Sequence, residues 1–195
     1  MSETAENVRT FIAVSLPGPV KQELKQLQAR VKKMGVHASW PRPEAFHLTL
    51  KFLGDVSLGH MGSIQRCMEK AASQSAGFQL KAQGLGIFPS VKRPRVIWAG
   101  VGGRTDLLEQ VFNNLEKGLA PLGFQKQGQR FSPHFTLARV KHKTADPVDF
   151  VRLIRECSDV RSMPFSVATI DLYKSRLTSR GAIHEKLFEA RIGKR

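Results

Sequence analysis

The sequence predicts an α+β protein of two pseudo-symmetric lobes, with antiparallel sheets facing a central cleft and helices on the outside. Three observations predict it. The tetrad His-apolar-Thr-apolar occurs twice, as "HLTL" at 47–50 and "HFTL" at 134–137. Around each copy the elements follow one order: strand, helix, tetrad strand, helix, strand, strand. No Pro-, Ser- or Gly-rich linker divides the halves. The 195 residues therefore read as a single domain, 1–195, with an internal duplication of roughly 1–93 and 94–195.

The elements follow in chain order. Residues 8–16, "VRTFIAVSL", alternate as a strand does. Pro17 and Pro19 open a helix whose apolar residues Val20, Leu24, Leu27, Val31 and Met34 are spaced by threes and fours onto one face. Lys21, Lys25, Arg30, Lys32 and Lys33 fall on its solvated faces, and Gly35 stops it. The first tetrad comes next as a strand, then a helix over about 58–75 and the strands "FQLKAQGLGIF" and "RVIWAGV". The second half starts from the strand at 95–101, which leads through Gly102-Gly103 into a helix over about 104–120. Leu107, Leu108, Val111, Leu115 and Leu119 form its stripe. The turn-rich link "PLGFQKQGQR" delivers the second tetrad. A helix over about 147–157 and the strands "FSVATIDLYKS" and "GAIHEKLFEAR" complete the chain.

Composition bounds the function. A hydrophobic fraction of 41% with 24% charged residues is that of a globular chain, not a disordered one. No apolar run reaches membrane-spanning length, and "MSETAENVRTFIAVSLPG" lacks a basic region followed by a long apolar stretch. A soluble, unexported, cytoplasmic protein is expected. Cys67 and Cys157 have no metal-ligand spacing and read as reduced thiols. With 31 Lys and Arg against 16 Asp and Glu, the formal net charge is +15, which favours a polyanion partner through counterion release. The charge is spread over "KRPR" at 92–95, "KHK" at 141–143, Lys174, Arg176 and Arg180, and the final "RIGKR". That describes a broad basic surface, not a basic arm.

The tetrads carry the chemistry. In a strand, successive side chains alternate between faces. His47 and Thr49 point one way while Leu48 and Leu50 point the other. His134 and Thr136 stand likewise against Phe135 and Leu137. A cleft between the sheets would collect two imidazoles and two hydroxyls. A His pKa near 6.5 lets one ring be protonated and the other neutral, giving a general acid and a general base. Thr hydroxyls can donate to the non-bridging oxygens of a phosphate. No carboxylate cluster or Gly-rich phosphate loop accompanies them, so neither a metal nor a nucleotide triphosphate is implied. A zinc site on His47 and His134 would need a third ligand for which the spacing offers no motif. The set fits metal-free hydrolysis of a reactive phosphodiester. His37, His60, His142 and His184 stand in polar or loop-like contexts and read as ordinary.

These tetrads resemble the signature of the 2H phosphoesterase superfamily. Within it the chain resembles the bacterial and archaeal RNA 2′,3′-cyclic phosphodiesterases, also called 2′-5′ RNA ligases. "RTFIAVSLP", "HLTLKFLGDV", "GIFPSVKRPRVIWAGV", "FSPHFTLAR" and "LYKSRLTSRGAIHE" resemble family blocks in family order, close to the whole chain. The resemblance implies a bilobal α+β fold and hydrolysis of terminal RNA 2′,3′-cyclic phosphates to 2′-phosphomonoesters, without metal or ATP. It implies His47 as proton donor to the departing 3′ oxygen and His134 as acceptor from water, with Thr49 and Thr136 holding the phosphate. It also implies reversible 2′-5′ joining and, as partners, RNA ends with a cyclic phosphate, tRNA fragments among them. Arg139 matches a family Arg on the base or phosphate side, although simple alternation puts it on the face away from His134. Phe11 matches a family aromatic able to stack on the terminal base, with core packing as its other reading. His184 stands where relatives often have a Tyr. The sequence shows no coiled coil or exposed apolar stripe, so a monomer is expected.

Two other readings stay open at this level. One is a phosphodiesterase acting on a small cyclic phosphate or a 2′-5′ oligonucleotide. The other is an RNA-binding protein without chemistry, although no RNP-type aromatic motif is present.

Overall fold

The computed structural model describes residues 7–128, 130–141, 148–178 and 181–193. His142, Lys143, Arg180 and the last two residues, which belong to the basic groups noted above, lie outside these. In order the elements are β1 (Asn7–Ser15), α1 (Gly18–Lys33), β2 (Ala38–Ser39), β3 (His47–Ser57), α2 (Met61–Ser73), β4 (Phe78–Ser90) and β5 (Arg93–Gly103). They continue with α3 (Thr105–Leu119), β6 (His134–Val140), α4 (Phe150–Glu156), β7 (Phe165–Val167), β8 (Thr169–Thr178) and β9 (Gly181–Arg191).

The strands form two antiparallel sheets. One is ordered β3-β1-β8-β9 and the other β2-β6-β5-β4-β7. Neither is made from one half of the chain: β8 and β9 return to the sheet that β1 and β3 began, and β4 leaves it for the other. The helices lie outside. α2 packs on β8, β9 and α3, while α1 reaches β6 and α4 reaches β4. Among the described residues no helix is long and apolar enough to cross a membrane.

One expected strand is two. "FSVATIDLYKS" alternates without interruption, yet it divides at Ala168. β7 pairs with β4 in the five-stranded sheet, and β8 pairs with β1 and β9 in the four-stranded one. The carbonyl of Ala168 accepts from the Ile192 amide at 2.8 Å, in register with the Thr169–Arg191 pair of the β8–β9 ladder. The segment is the strap between the sheets, and no Gly or Pro marks the crossing.

The tetrad strands share a second departure from regularity. In the β1–β3 ladder Ala13 faces Thr49 and Ile12 faces Lys51, so Leu50 is an extra residue. In the β5–β6 ladder Trp98 faces Thr136 and Ile97 faces Ala138, so Leu137 is extra. Both are bulges at the fourth tetrad residue, and a bulge reverses the alternation beyond it. Lys51 is thereby drawn inside, 6% exposed, and Phe52 is turned out, 66% exposed. Arg139 is turned onto the face of His134 and Thr136, opposite Val96 in the ladder. The core side of each tetrad is held by Leu48, Leu50, Phe135 and Leu137, all buried, each stabilising by roughly 1.5–3 kcal/mol.

Side chains bridge each bulge to distant parts of the chain. Gln28, buried in α1, donates to the carbonyl of Leu137 at 2.9 Å and to that of Pro41 at 3.0 Å. Lys51 makes a 2.6 Å ion pair with Glu116 of α3 and donates to the carbonyl of Gln125 at 2.5 Å. Glu116 in turn accepts from the amide of Gln127 at 2.9 Å. The segment that delivers the second tetrad is therefore pinned to the strand that carries the first.

Candidate active site

Ladder register places the candidate residues on one face of each sheet. Ser15 opposes His47, Ala13 opposes Thr49 and Phe11 opposes Phe52. In the other sheet Gly100 opposes His134, Trp98 opposes Thr136 and Val96 opposes Arg139. Cross-strand partners share a face, so His47, Thr49 and Phe52 stand together, as do His134, Thr136 and Arg139. β3 and β6 approach one another, and the charge of His134 is felt at His47.

The two imidazoles are held alike. Nδ1 of His47 lies 2.7 Å from the carbonyl of Ala45, and Nδ1 of His134 lies 2.8 Å from that of Ser132. A carbonyl can only accept, so each Nδ1 carries a hydrogen and donates it. In both rings Nε2 is left as the working atom, a lone pair when neutral and a donor when protonated. Each ring is also wedged by aromatics. Phe11 lies 4.8 Å from the His47 ring. Phe88 lies 5.0 Å edge-on to His134, with Trp98 at 6.1 Å.

Both rings resist protonation in the free protein. Burial lowers His47 to about 4, and the charges of His184, Lys21 and His134 push the same way against the bond to Ala45. Burial also lowers His134, with Arg139 adding to the effect and the bond to Ser132 opposing it. A bound phosphate anion acts in the opposite sense and raises both.

On the same face, beside the first tetrad, is a polar network. Asp171, fully buried, accepts from Ser15, from Tyr173 at 3.3 Å and from Lys186 at 3.1 Å. Ser15 and Tyr173 hydroxyls lie 2.5 Å apart. The Tyr173 ring stacks on Phe11 at 5.3 Å. The network ties β1, β8 and β9 together on the face that carries His47.

Three residues of the site were not singled out from the sequence. His184 does not stand apart: its ring is 5.2 Å edge-on to His47 and 4.9 Å from Phe11, and its Nδ1 is buried without a hydrogen-bond partner. Lys21 donates to the Glu44 carbonyl at 3.1 Å, and its charge reaches His47. Phe52 is the exposed aromatic, while Phe11 is 3% exposed and packs beneath, ring centroids 6.1 Å apart. Only bulge geometry reveals Phe52. The mismatch between His184 and the Tyr that the family resemblance leads one to expect was the available signal for the third ring. Among the described residues no group of three or more His, Cys, Asp or Glu is placed to hold a metal ion.

The profile described as "LigT like Phosphoesterase" matches residues 14–98 and again 101–184. Similar relatives include an RNA 2′,3′-cyclic phosphodiesterase of Aeropyrum pernix, 36% identical over 86% of this chain and 94% of that protein. Another, from Aquifex aeolicus, is 32% identical over 95% of this chain and 98% of its own. The fold matches that of a Thermus thermophilus protein with a TM-score of 0.78 at 24% identity, covering 96% of this chain and all of that one. It also matches E. coli LigT in its apo form at 0.75 and 22%, covering 97% of this chain and 99% of LigT. The chain belongs to the LigT-like phosphoesterase family, and the two matched segments contain His47 and His134 respectively.

Proposed function

We propose that the protein hydrolyses the 2′,3′-cyclic phosphate at RNA ends to a 2′-phosphomonoester by two-histidine acid–base catalysis, and supports the reverse 2′-5′ joining. The observation that supports this is the matched pair of imidazoles, each with Nδ1 committed to a carbonyl two residues back, so that Nε2 is the nitrogen left for chemistry. The relatives named as RNA 2′,3′-cyclic phosphodiesterases supply the substrate class.

His134 takes the proton of the attacking water at Nε2, and the new P–O bond forms as the P–O3′ bond breaks. His47, protonated, gives its Nε2 proton to the departing 3′ oxygen. Because the empty site lowers His47, the phosphate anion itself must bring that ring into its protonated form. Thr49 and Thr136 donate to the non-bridging oxygens. Arg139 provides a fixed positive charge on the same face as His134. Phe52 gives the terminal base a surface to stack on, backed by the buried Phe11. The reaction as drawn needs no cofactor. The chain works as a monomer in the cytoplasm on RNA ends, tRNA fragments among them, which its net charge of +15 helps attract. The two halves read as copies of one ancestral unit within a single bilobal domain.

Incubation of the purified protein in EDTA with a short RNA ending in a 2′,3′-cyclic phosphate tests the reading. Loss of the cyclic end is expected; an intact end after prolonged incubation would overturn it. Phe52→Ala should raise KM by the equivalent of about 1–3 kcal/mol of stacking with a smaller change in kcat. An unchanged KM would remove Phe52 from the substrate surface.

The pH dependence has a defined sign. The rate needs one ring neutral and one protonated, so it follows a bell set by the pair as a coupled unit. Both rings are lowered in the free protein, so the kcat/KM bell is centred below the ordinary His value of about 6.5. The kcat bell, which reports the phosphate-bound state, is displaced to higher pH. Measured profiles that coincide, or a flat profile, would contradict this.

A further inference from the structure

Next to His134 the chain forms a cavity of about 320 Å³. Two of its lining residues adjoin His134: Pro133 precedes it in the chain, and Gly100 faces it in the ladder. Trp98, one wall, lies 6.1 Å from the His134 ring. That indole lies flat against the sheet because position 86 is Gly; a Cβ there would collide with it. Phe131 forms another wall and is itself braced by stacking on Phe112 at 4.1 Å and 9°. Val101 and Thr105 also line it, and Arg130 and Glu109 contribute one charge of each sign.

We infer that this cavity is a second nucleoside site, which holds a nucleoside with a free 5′-hydroxyl against His134. Its volume is within the roughly 300–1,000 Å³ of small-ligand sites. Two aromatic walls suit a base, and Thr105 suits a ribose. The opposed charges of Arg130 and Glu109 leave the cavity without net charge, which suits a neutral nucleoside better than a 5′-phosphate. The inference rests on the reaction proposed above and extends it. There the nucleophile stands at His134, and a 5′-hydroxyl in the cavity can stand where water does. Its oxygen attacks phosphorus, its proton passes to Nε2 of His134, the P–O3′ bond breaks, and His47 protonates the 3′ oxygen. The product is a 2′-5′ diester, with no other reactant required. The two aromatic surfaces, Phe52 beside His47 and Trp98 beside His134, then hold the nucleosides on either side of one phosphate.

The test is product partition. An RNA ending in a 2′,3′-cyclic phosphate is incubated with increasing 2′,3′-dideoxyadenosine, whose only sugar hydroxyl is the 5′, and diester and 2′-phosphate are quantified by chromatography. The expected ratio of diester to 2′-phosphate rises and saturates, as binding to a site requires. In Val101→Trp, which fills the cavity, the ratio should fall about tenfold or more while hydrolysis without nucleoside is retained. A ratio that rises linearly without saturation in the native protein would overturn the site, and so would an unchanged ratio in a folded Val101→Trp. The native titration decides the matter if that variant fails to fold. Absence of 2′-phosphate in the native protein without nucleoside would instead overturn the underlying reaction, and the site with it.

Discussion

His47→Ala and His134→Ala should each lower kcat by about 10²–10⁴, the usual contribution of one positioned acid or base. Both rings lie on the surface side of strands whose core side is fully packed by Leu48 and Phe135, so the variants should stay folded. The effects should not add. With the acid gone, the base has no partner in the concerted transfer, and the double variant should be little slower than the worse single one. Steady-state rates on a cyclic-ended RNA, with thermal melts as a control, check this. The variants should also differ in their pH profiles: His47→Ala should lose the alkaline limb and His134→Ala the acid limb. Near-native rates in both would remove acid–base catalysis from these rings. Exchanged limbs would keep the chemistry and reverse the two roles.

The second large effect is on stability. Lys51 and Glu116 are both buried and pair at 2.6 Å. Breaking a buried pair by removing one partner leaves the other charge without compensation and costs about 3–5 kcal/mol. Lys51→Met and Glu116→Leu should each cost that much in denaturant unfolding. The double variant, which buries no charge, should recover most of it. Activity should follow a different pattern. The pair also holds the carbonyl of Gln125 and the amide of Gln127, and these lie on the segment that leads to His134. The double variant should therefore be stable but impaired in kcat. Single variants as stable as the native protein would show that the pair holds nothing.

What could be read from the sequence depended on periodicity. The tetrads, the helices and the face shared by His47 and Thr49, or by His134 and Thr136, all follow from alternation and the 3.6-residue repeat. What alternation could not supply is the residue at which it fails. Leu50 and Leu137 look like ordinary core leucines, and nothing local says that they bulge. Simple alternation therefore puts Arg139 on the far face, which the bulge reverses, and it gives no reason to single out Phe52. A clue did exist for one bulge. Gln28 is a polar residue on the apolar stripe between Leu24 and Val31, and its buried amide satisfies the carbonyl that the bulge at Leu137 frees. The division of "FSVATIDLYKS" between two sheets was hidden for a different reason: a strand that changes sheets keeps the same period. His184 was hidden because β9 lies far from His47 in sequence, and only the order β3-β1-β8-β9 brings its ring beside His47.

The central claim is that one ring activates water while the other releases the 3′ oxygen from phosphorus. The most direct test is hydrolysis of a cyclic-ended RNA in ¹⁸O-labelled water with EDTA present, followed by ³¹P NMR of the product. A 2′-phosphate carrying one ¹⁸O is predicted. A 3′-phosphate would reverse the leaving group and the roles of His47 and His134, and a product without label would contradict attack by water on phosphorus.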